Sequence, residues 1–194
     1  MTGMEIEPFV VADAAAWRVW LDGHEDTSDG VWLVLAKKGT TSPTSLTYAE
    51  ALDEALCSGW IDGSKRGLDA GTFLQRFTPR RRASLWSKRN VGLVAALVEA
   101  GRMRPRGQAE VDRAKHDGRW DRAYAGAATA EVPDDLRAAL DATNRYAVVH
   151  RVVTAPSDTA RANRIAKLVG GLSRGETPYP RPGVQPPRTD DPEA

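Results

Sequence analysis

The groups best suited to chemistry lie in three linked runs: Cys57-Ser-Gly-Trp-Ile-Asp-Gly-Ser-Lys-Arg66, Leu74-Gln-Arg-Phe-Thr-Pro-Arg-Arg-Arg82 and Leu85-Trp-Ser-Lys-Arg-Asn90. Residues 60–90 hold eight Lys and Arg against two carboxylates, Asp62 and Asp69. Arginine forks match the paired oxygens of a carboxylate or phosphate, so Arg76, Arg80, Arg81 and Arg82 with Lys65, Arg66 and Lys88 can form an anion site. Thr78 stands between the arginines. Backbone amides of Ser87, Lys88 and Arg89 at a helix start would add a favourable dipole end. Trp60 and Trp86 flank the segment and can stack on a planar ligand or an arginine. Large aromatics at strand ends serve a core equally well. Asp62 can orient Arg76 or Lys65, or act as a lone general base with no acid partner in view. The expected ligand-binding set is therefore Trp60, Asp62, Lys65, Arg76, Thr78, Arg80, Arg81, Trp86, Ser87 and Lys88. The competing reading is a solvated basic face with internal ion pairs to Glu50, Asp53, Glu54 and Asp62.

Other chemistries find no residues to carry them. Cys57 falls at a helix C-terminus, where the dipole opposes a thiolate, and reads as a small core residue. His24, His116 and His150 are far apart and lack metal-ligand spacing. No phosphate-binding loop, dinucleotide fingerprint or nucleophile elbow occurs. No cofactor, metal or catalytic residue is expected.

The net charge of +1 hides a strong polarity: residues 1–59 carry three Lys and Arg against ten Asp and Glu. Local charge decides which ligands are attracted. With 194 residues and 41% hydrophobic content, the chain suffices for one domain or two small ones. A single cysteine excludes an intrachain disulfide and suits a reducing, cytoplasmic setting. The N-terminus lacks a signal-peptide pattern, and no apolar run is long enough to span a bilayer, so membrane insertion is not expected.

These side chains need elements to hold them. Glu5–Val11 reads as a short strand, followed by a helix capped by Asp13 and ended by a left-handed Gly23. Gly30–Lys38 reads as a central strand, and Thr47 with Glu50 as a capping box opening a helix with Leu52, Ala55 and Leu56 inward. Trp60–Arg66 and Thr72–Phe77 form a hairpin whose loop uses Gly67 and Gly71 for positive φ. Beyond Ser87 the pattern is helical. Val91, Val94, Ala95 and Val98 make one stripe, Pro105 opens a further helix closed by Gly118, and helices follow near 133–141, 143–153 and 158–172. The last presents Ile165, Leu168, Val169 and Leu172. The expected class is α+β: a small mixed or antiparallel sheet with helices over 1–86, an all-helical part over 87–175 and a loose Pro-rich tail over 176–194.

Tyr48-Ala-Glu-Ala-Leu-Asp-Glu-Ala-Leu-Cys-Ser-Gly-Trp-Ile-Asp-Gly63, Leu74-Gln-Arg-Phe-Thr-Pro-Arg-Arg81 and Trp86-Ser-Lys resemble the YdeI/OmpD-associated family, also called bacteriocin-protection proteins. The likeness continues through Gly101-Arg-Met103, Asp117-Gly-Arg-Trp120 and Asn144-Arg-Tyr-Ala147 to the helix with Arg161, Arg164 and Ile165. It implies a bacterial intracellular protein linked to tolerance of bacteriocins or other stress, and supplies no catalytic residue or ligand. The stretch between Leu140 and Asn144 is shorter than the family pattern. The leading expectation is a non-catalytic binding or stress-protection protein that holds an anionic small molecule in a basic, Trp-flanked cleft. Nucleic-acid binding through Arg80–Arg82, Lys88 and Arg89 is the alternative, and an enzyme using Asp62 with the arginines the third reading.

Overall fold

The computed structural model describes residues 7–125, 140, 142–174 and 176–179. The expected helix near 133–141 and the tail beyond residue 179 lie almost wholly outside these residues. Ten elements are described: β1 (Pro8–Phe9), α1 (Ala14–His24), β2 (Val31–Ala36), α2 (Tyr48–Cys57), β3 (Trp60–Gly67), β4 (Thr72–Pro79), α3 (Lys88–Glu99), α4 (Pro105–His116), α5 (Ala142–Val153) and α6 (Asp158–Ser173). The class is α+β. The sheet is mixed, in the order β1-β2-β4-β3, with β1 parallel to β2 and the other pairs antiparallel.

Local chemistry accounts for most element ends. Asp13 Oδ1 accepts the Ala16 amide at 2.9 Å and starts α1. Thr47 Oγ1 accepts the Glu50 amide while Glu50 accepts the Thr47 amide at 3.0 Å, completing the capping box of α2. Pro105 stands in the first turn of α4, where a missing N–H costs nothing. Gly23 does not end α1: its φ is not positive, and the helix runs on through His24 to a cap at Glu25. Gly67 and Gly71 also lack positive φ. Their loop is tied instead by Asp69, whose carboxylate accepts the Gly71 and Thr72 amides at 2.8 and 2.7 Å and the Thr72 hydroxyl at 2.8 Å.

Among the described residues, 7–86 and 90–123 form one compact unit, and 87–89 with those from 124 onward a second. The first is built on one face of the sheet. Leu33, Leu35, Phe73 and Phe77 meet Trp17 and Leu21 of α1 and Leu52, Ala55 and Leu56 of α2 in one buried cluster. Trp17 sits at its centre, 5.8 Å from the Phe77 ring and 6.2 Å from Trp60, with its indole N–H donated to Ala51 O. Val94 and Leu97 of α3 and Val111 and Ala114 of α4 join the same cluster. These two helices were expected in a separate helical part beginning at residue 87. They pack with the sheet because their apolar residues complete its core. The buried stripe of α3 is Val94 and Leu97, whereas Ala95 and Val98 are exposed. Gly107 lets α4 approach the end of α2: a Cβ there would lie 2.1 Å from Cys57 O.

The second unit contains α5 and α6. Ser157 caps α6 by accepting the Ala160 amide. Leu140 and Val148 pack with Ile165, Leu168 and Leu172, while Val169 faces outward at 38% exposure. Among the described residues no helix is long and apolar enough to cross a membrane.

Candidate anion site on the outer face of the sheet

The core covers one sheet face, and the other carries the arginines. Antiparallel register sets Trp32 opposite Arg76, Val34 opposite Leu74, Arg66 opposite Leu74 and Ile61 opposite Thr78. Residues directly opposite share a face, and alternation keeps that face distinct from the one bearing Leu33, Gln75 and Phe77. Trp32, Arg66, Arg76 and Thr78 therefore share the outer face, around the buried Val34 and Leu74. The Arg66 guanidinium stacks over the Trp32 ring, its Cζ 5.1 Å from the ring centre. Arg76 is half-buried and donates from Nη2 to Asp29 O at 3.3 Å.

Gly30 shapes the floor beside Arg76. Its φ is +116°, and a Cβ there would stand 2.4 Å from Phe77 O, 2.7 Å from Thr78 Cγ2 and 3.1 Å from Arg76 Nη2. Only a glycine lets the chain enter β2 this close beneath Arg76 and Thr78.

Among the described residues, none of Lys65, Arg66, Arg76, Arg81 or Arg82 has a carboxylate within 4.0 Å. The carboxylates expected to neutralise them are engaged elsewhere. Glu54 accepts from Arg102 at 2.7 Å and Arg104 at 2.8 Å. Asp53 lies 3.6 Å from Arg102, and Asp22 accepts from Arg104 at 2.8 Å. Glu50 is committed to the Thr47 cap, and that hydrogen bond holds its carboxyl below the usual range. Carboxylates of the acidic N-terminal third are thus matched by Arg102, Arg104 and Arg106, away from Lys65, Arg66, Arg76, Arg81 and Arg82.

The other expected site residues fall in several places. Trp60 is fully buried, edge-on to Trp17 and Trp20, with its indole N–H donated to Glu25 O at 3.2 Å. Trp86 is 2% exposed, against Trp120 and beneath Arg80, whose Cζ is 3.5 Å from its ring centre. Neither tryptophan offers a ligand its face, so the cleft is not flanked by these two. Arg80 is itself buried and donates to Leu85 O, which makes it a clamp at the end of β4. Asp62 is opposite Phe77, on the face away from Arg76, and accepts the Tyr48 hydroxyl at 2.7 Å. It does not orient Arg76. Lys65 lies over the Phe73 ring at 4.1 Å. Arg81 is exposed in a turn in which its amide donates to Ser84 Oγ. Ser87 and Lys88 belong to the second unit, where Ser87 bridges to Tyr124 and the Lys88 amide donates to Tyr124 O. That amide is occupied, so the expected helix-start site loses one of its three donors.

Of the expected set, Arg76 and Thr78 come together on the outer face of the sheet, and Arg80 with Trp86 beyond the end of β4. Trp32 and Gly30 had no place in the sequence reading of the site, and Arg66 had one only within the wider cation cluster. A signal existed: Trp32 holds the same alternation phase as Val34 on a strand announced by Gly30. Burial pushes the Cys57 thiol up from its ordinary value, in keeping with a core role. Among the described residues no three His, Cys, Asp or Glu side chains converge as a metal site would require.

Residues 9–110 match a family model described as "Domain of unknown function (DUF8412)", a span that runs from β1 through α3 into the first half of α4. No curated protein and no solved structure matches the chain.

Proposed function

The chain belongs to the DUF8412 family, and we propose that it is a non-catalytic protein that binds a small anion on the outer face of its sheet. Arg76 and Arg66 supply the charge, Thr78 a hydroxyl, and Trp32 the platform that sets the plane of Arg66. One observation carries the reading. Arg76 is a half-buried guanidinium whose described hydrogen bond goes to a neutral carbonyl, with no carboxylate in reach. A partly desolvated charge of this kind is stabilised by an anion that takes its remaining N–H groups. Stacking on Trp32 leaves the edge donors of Arg66 directed outward for the same anion.

The resemblance to the bacteriocin-protection proteins supports a protective role in the bacterial cytoplasm, exerted by holding such an anion. The lone buried thiol suits that compartment. A thermal-shift screen of the full chain against inorganic phosphate, pyrophosphate, sugar phosphates, nucleotides and dicarboxylates tests the proposal, with Arg76→Gln and Arg66→Gln in parallel. A compound that binds the native state raises the melting temperature. We expect a shift for an anion carrying two or more oxyanion oxygens, reduced in both variants. A shift unchanged in both would place the anion elsewhere.

A second reading draws on the exposed Arg81 and Arg82 in the turn after β4. Nucleic-acid binding there would weaken steeply with added salt, because phosphate contacts release counterions. Absence of binding to single- and double-stranded oligonucleotides at low salt removes it.

A further inference from the structure

The second unit has its own cavity, of about 320 Å3, between α5, α6 and the segment 176–178. Its floor is apolar: Val148, Leu168 and Leu172, all drawn from the core of that unit. Its rim carries three cations, Arg151, Arg164 and Lys167. We propose that this cavity binds a small amphipathic carboxylate, with its apolar body on the leucine floor and its head group among the three cations.

Size, charge and support each favour this occupant. The volume falls within the range of small-molecule sites, roughly 300–1,000 Å3. The carboxylate lining the cavity, Glu176, is held by Arg174 through two hydrogen bonds of 2.9 and 3.1 Å. Arg174 thus neutralises Glu176, and the charge of the rim cations stands. Arg164 is aimed by a 2.7 Å hydrogen bond to Arg151 O and a longer one to Thr154 Oγ1, which engage one of its nitrogens. Arg151 and Lys167 are exposed, and among the described residues neither has a carboxylate within 4.0 Å.

The wall formed by 176–178 is fastened at both ends. The Glu176 amide donates to Gly171 O at 2.9 Å. At the far end the buried Asn144 accepts the Tyr179 amide at 2.8 Å and donates to Tyr179 O at 3.2 Å. A pocket with an apolar floor, a cationic rim and a pinned wall fits one negative head on a compact apolar body. A bare inorganic anion would leave the floor unused, and an uncharged lipid-like molecule would leave the cations unpaired.

Calorimetric titration of the full chain with octanoate, octanamide and inorganic phosphate tests this. Octanoate is expected to bind at one site, with octanamide and phosphate each weaker by about tenfold or more. The double variant Arg151→Gln/Lys167→Gln should weaken octanoate about tenfold, and Lys38→Gln, on an exposed loop of the first unit, should not change it. Both rim residues are exposed, so the double variant is expected to keep the wild-type melt. If it does not fold, each single variant is titrated, with about threefold weakening expected for each. Equal affinity for octanoate and octanamide, wild-type affinity in the rim variants, phosphate binding as tight as octanoate, or no octanoate binding at millimolar concentration would each overturn the assignment.

Discussion

Glu54 shows what a single residue contributes to this fold. It is 8% exposed and accepts from both Arg102 and Arg104. Removing one partner of a buried ionic network leaves the other charges without compensation, at a cost of about 3–5 kcal/mol. Glu54→Gln should therefore lower the unfolding free energy by about 3 kcal/mol, measured by urea denaturation. Arg102 is more exposed than Arg104, so Arg102→Gln should cost well under half as much. A second residue-scale prediction concerns Gly107. Its alanine variant would press a Cβ onto Cys57 O, and a loss of about 2 kcal/mol or more is expected in the same assay. The Glu54 network was not legible in the sequence. Its partners lie some fifty positions downstream, and nothing local distinguishes Arg102 from Arg81 as the arginine that reaches α2. Arg76 was legible as unusual because a charged residue stood among apolar neighbours on a strand. That Trp32 rather than Trp60 lies beside it depended on strand pairing, which no local pattern supplies.

At the scale of elements, signals written in short-range chemistry were readable and those written in packing were not. The capping box at Thr47 and Glu50 could be read directly. Thr47→Ala should cost about 1 kcal/mol of stability, checked by denaturant melts of the full chain. The stripe read on α3 was right at Val91 and Val94, which meet the core, and wrong at Ala95 and Val98, which fit a helical period as well as Leu97 does. Only the neighbouring core selects Val94 and Leu97. The β3–β4 turn offered two glycines as its obvious explanation, yet Asp69 holds it. Hydrogen bonds from Thr72, side chain first, keep the Asp69 carboxyl below its ordinary value of 3.8. A depressed carboxyl contributes stability above its unfolded pKa and loses it as pH falls through the lower folded value. The protection of the Gly71 and Thr72 amides, taken as the ratio of intrinsic to observed hydrogen-exchange rate at each pH, should therefore fall on acidification below about pH 4. In Asp69→Asn it should already be lower at neutral pH.

At the scale of the whole molecule, the polarity visible in the sequence resolves into two separate arrangements. The acidic N-terminal third is answered by Arg102, Arg104 and Arg106, the last paired with Asp26 at 2.7 Å. Among the described residues Lys65, Arg66, Arg76, Arg81 and Arg82 have no carboxylate within 4.0 Å, and this supports the anion site proposed for the outer sheet face. The boundary between the two units escaped the sequence because α3 and α4 look like the start of a helical part, while their buried residues belong to the sheet's core. The second unit carries a pH dependence of its own. Burial lowers His150 from its ordinary value of 6.5, between the rings of Tyr124 and Tyr146. A depressed histidine favours folding while neutral, so stability is full above about pH 6.5 and declines as pH falls toward the folded pKa. An NMR titration of the His150 ring should show a midpoint below the ordinary histidine value of 6.5.

The central claim, that Arg66 and Arg76 form the anion site, is tested most directly by the arginine Nε–H resonances of the full chain during titration with pyrophosphate. The account predicts saturable shifts of the Arg66 and Arg76 signals together, with Arg104, held by Glu54 and Asp22, unmoved. Shifts confined to other arginines, or none at millimolar pyrophosphate, would contradict it.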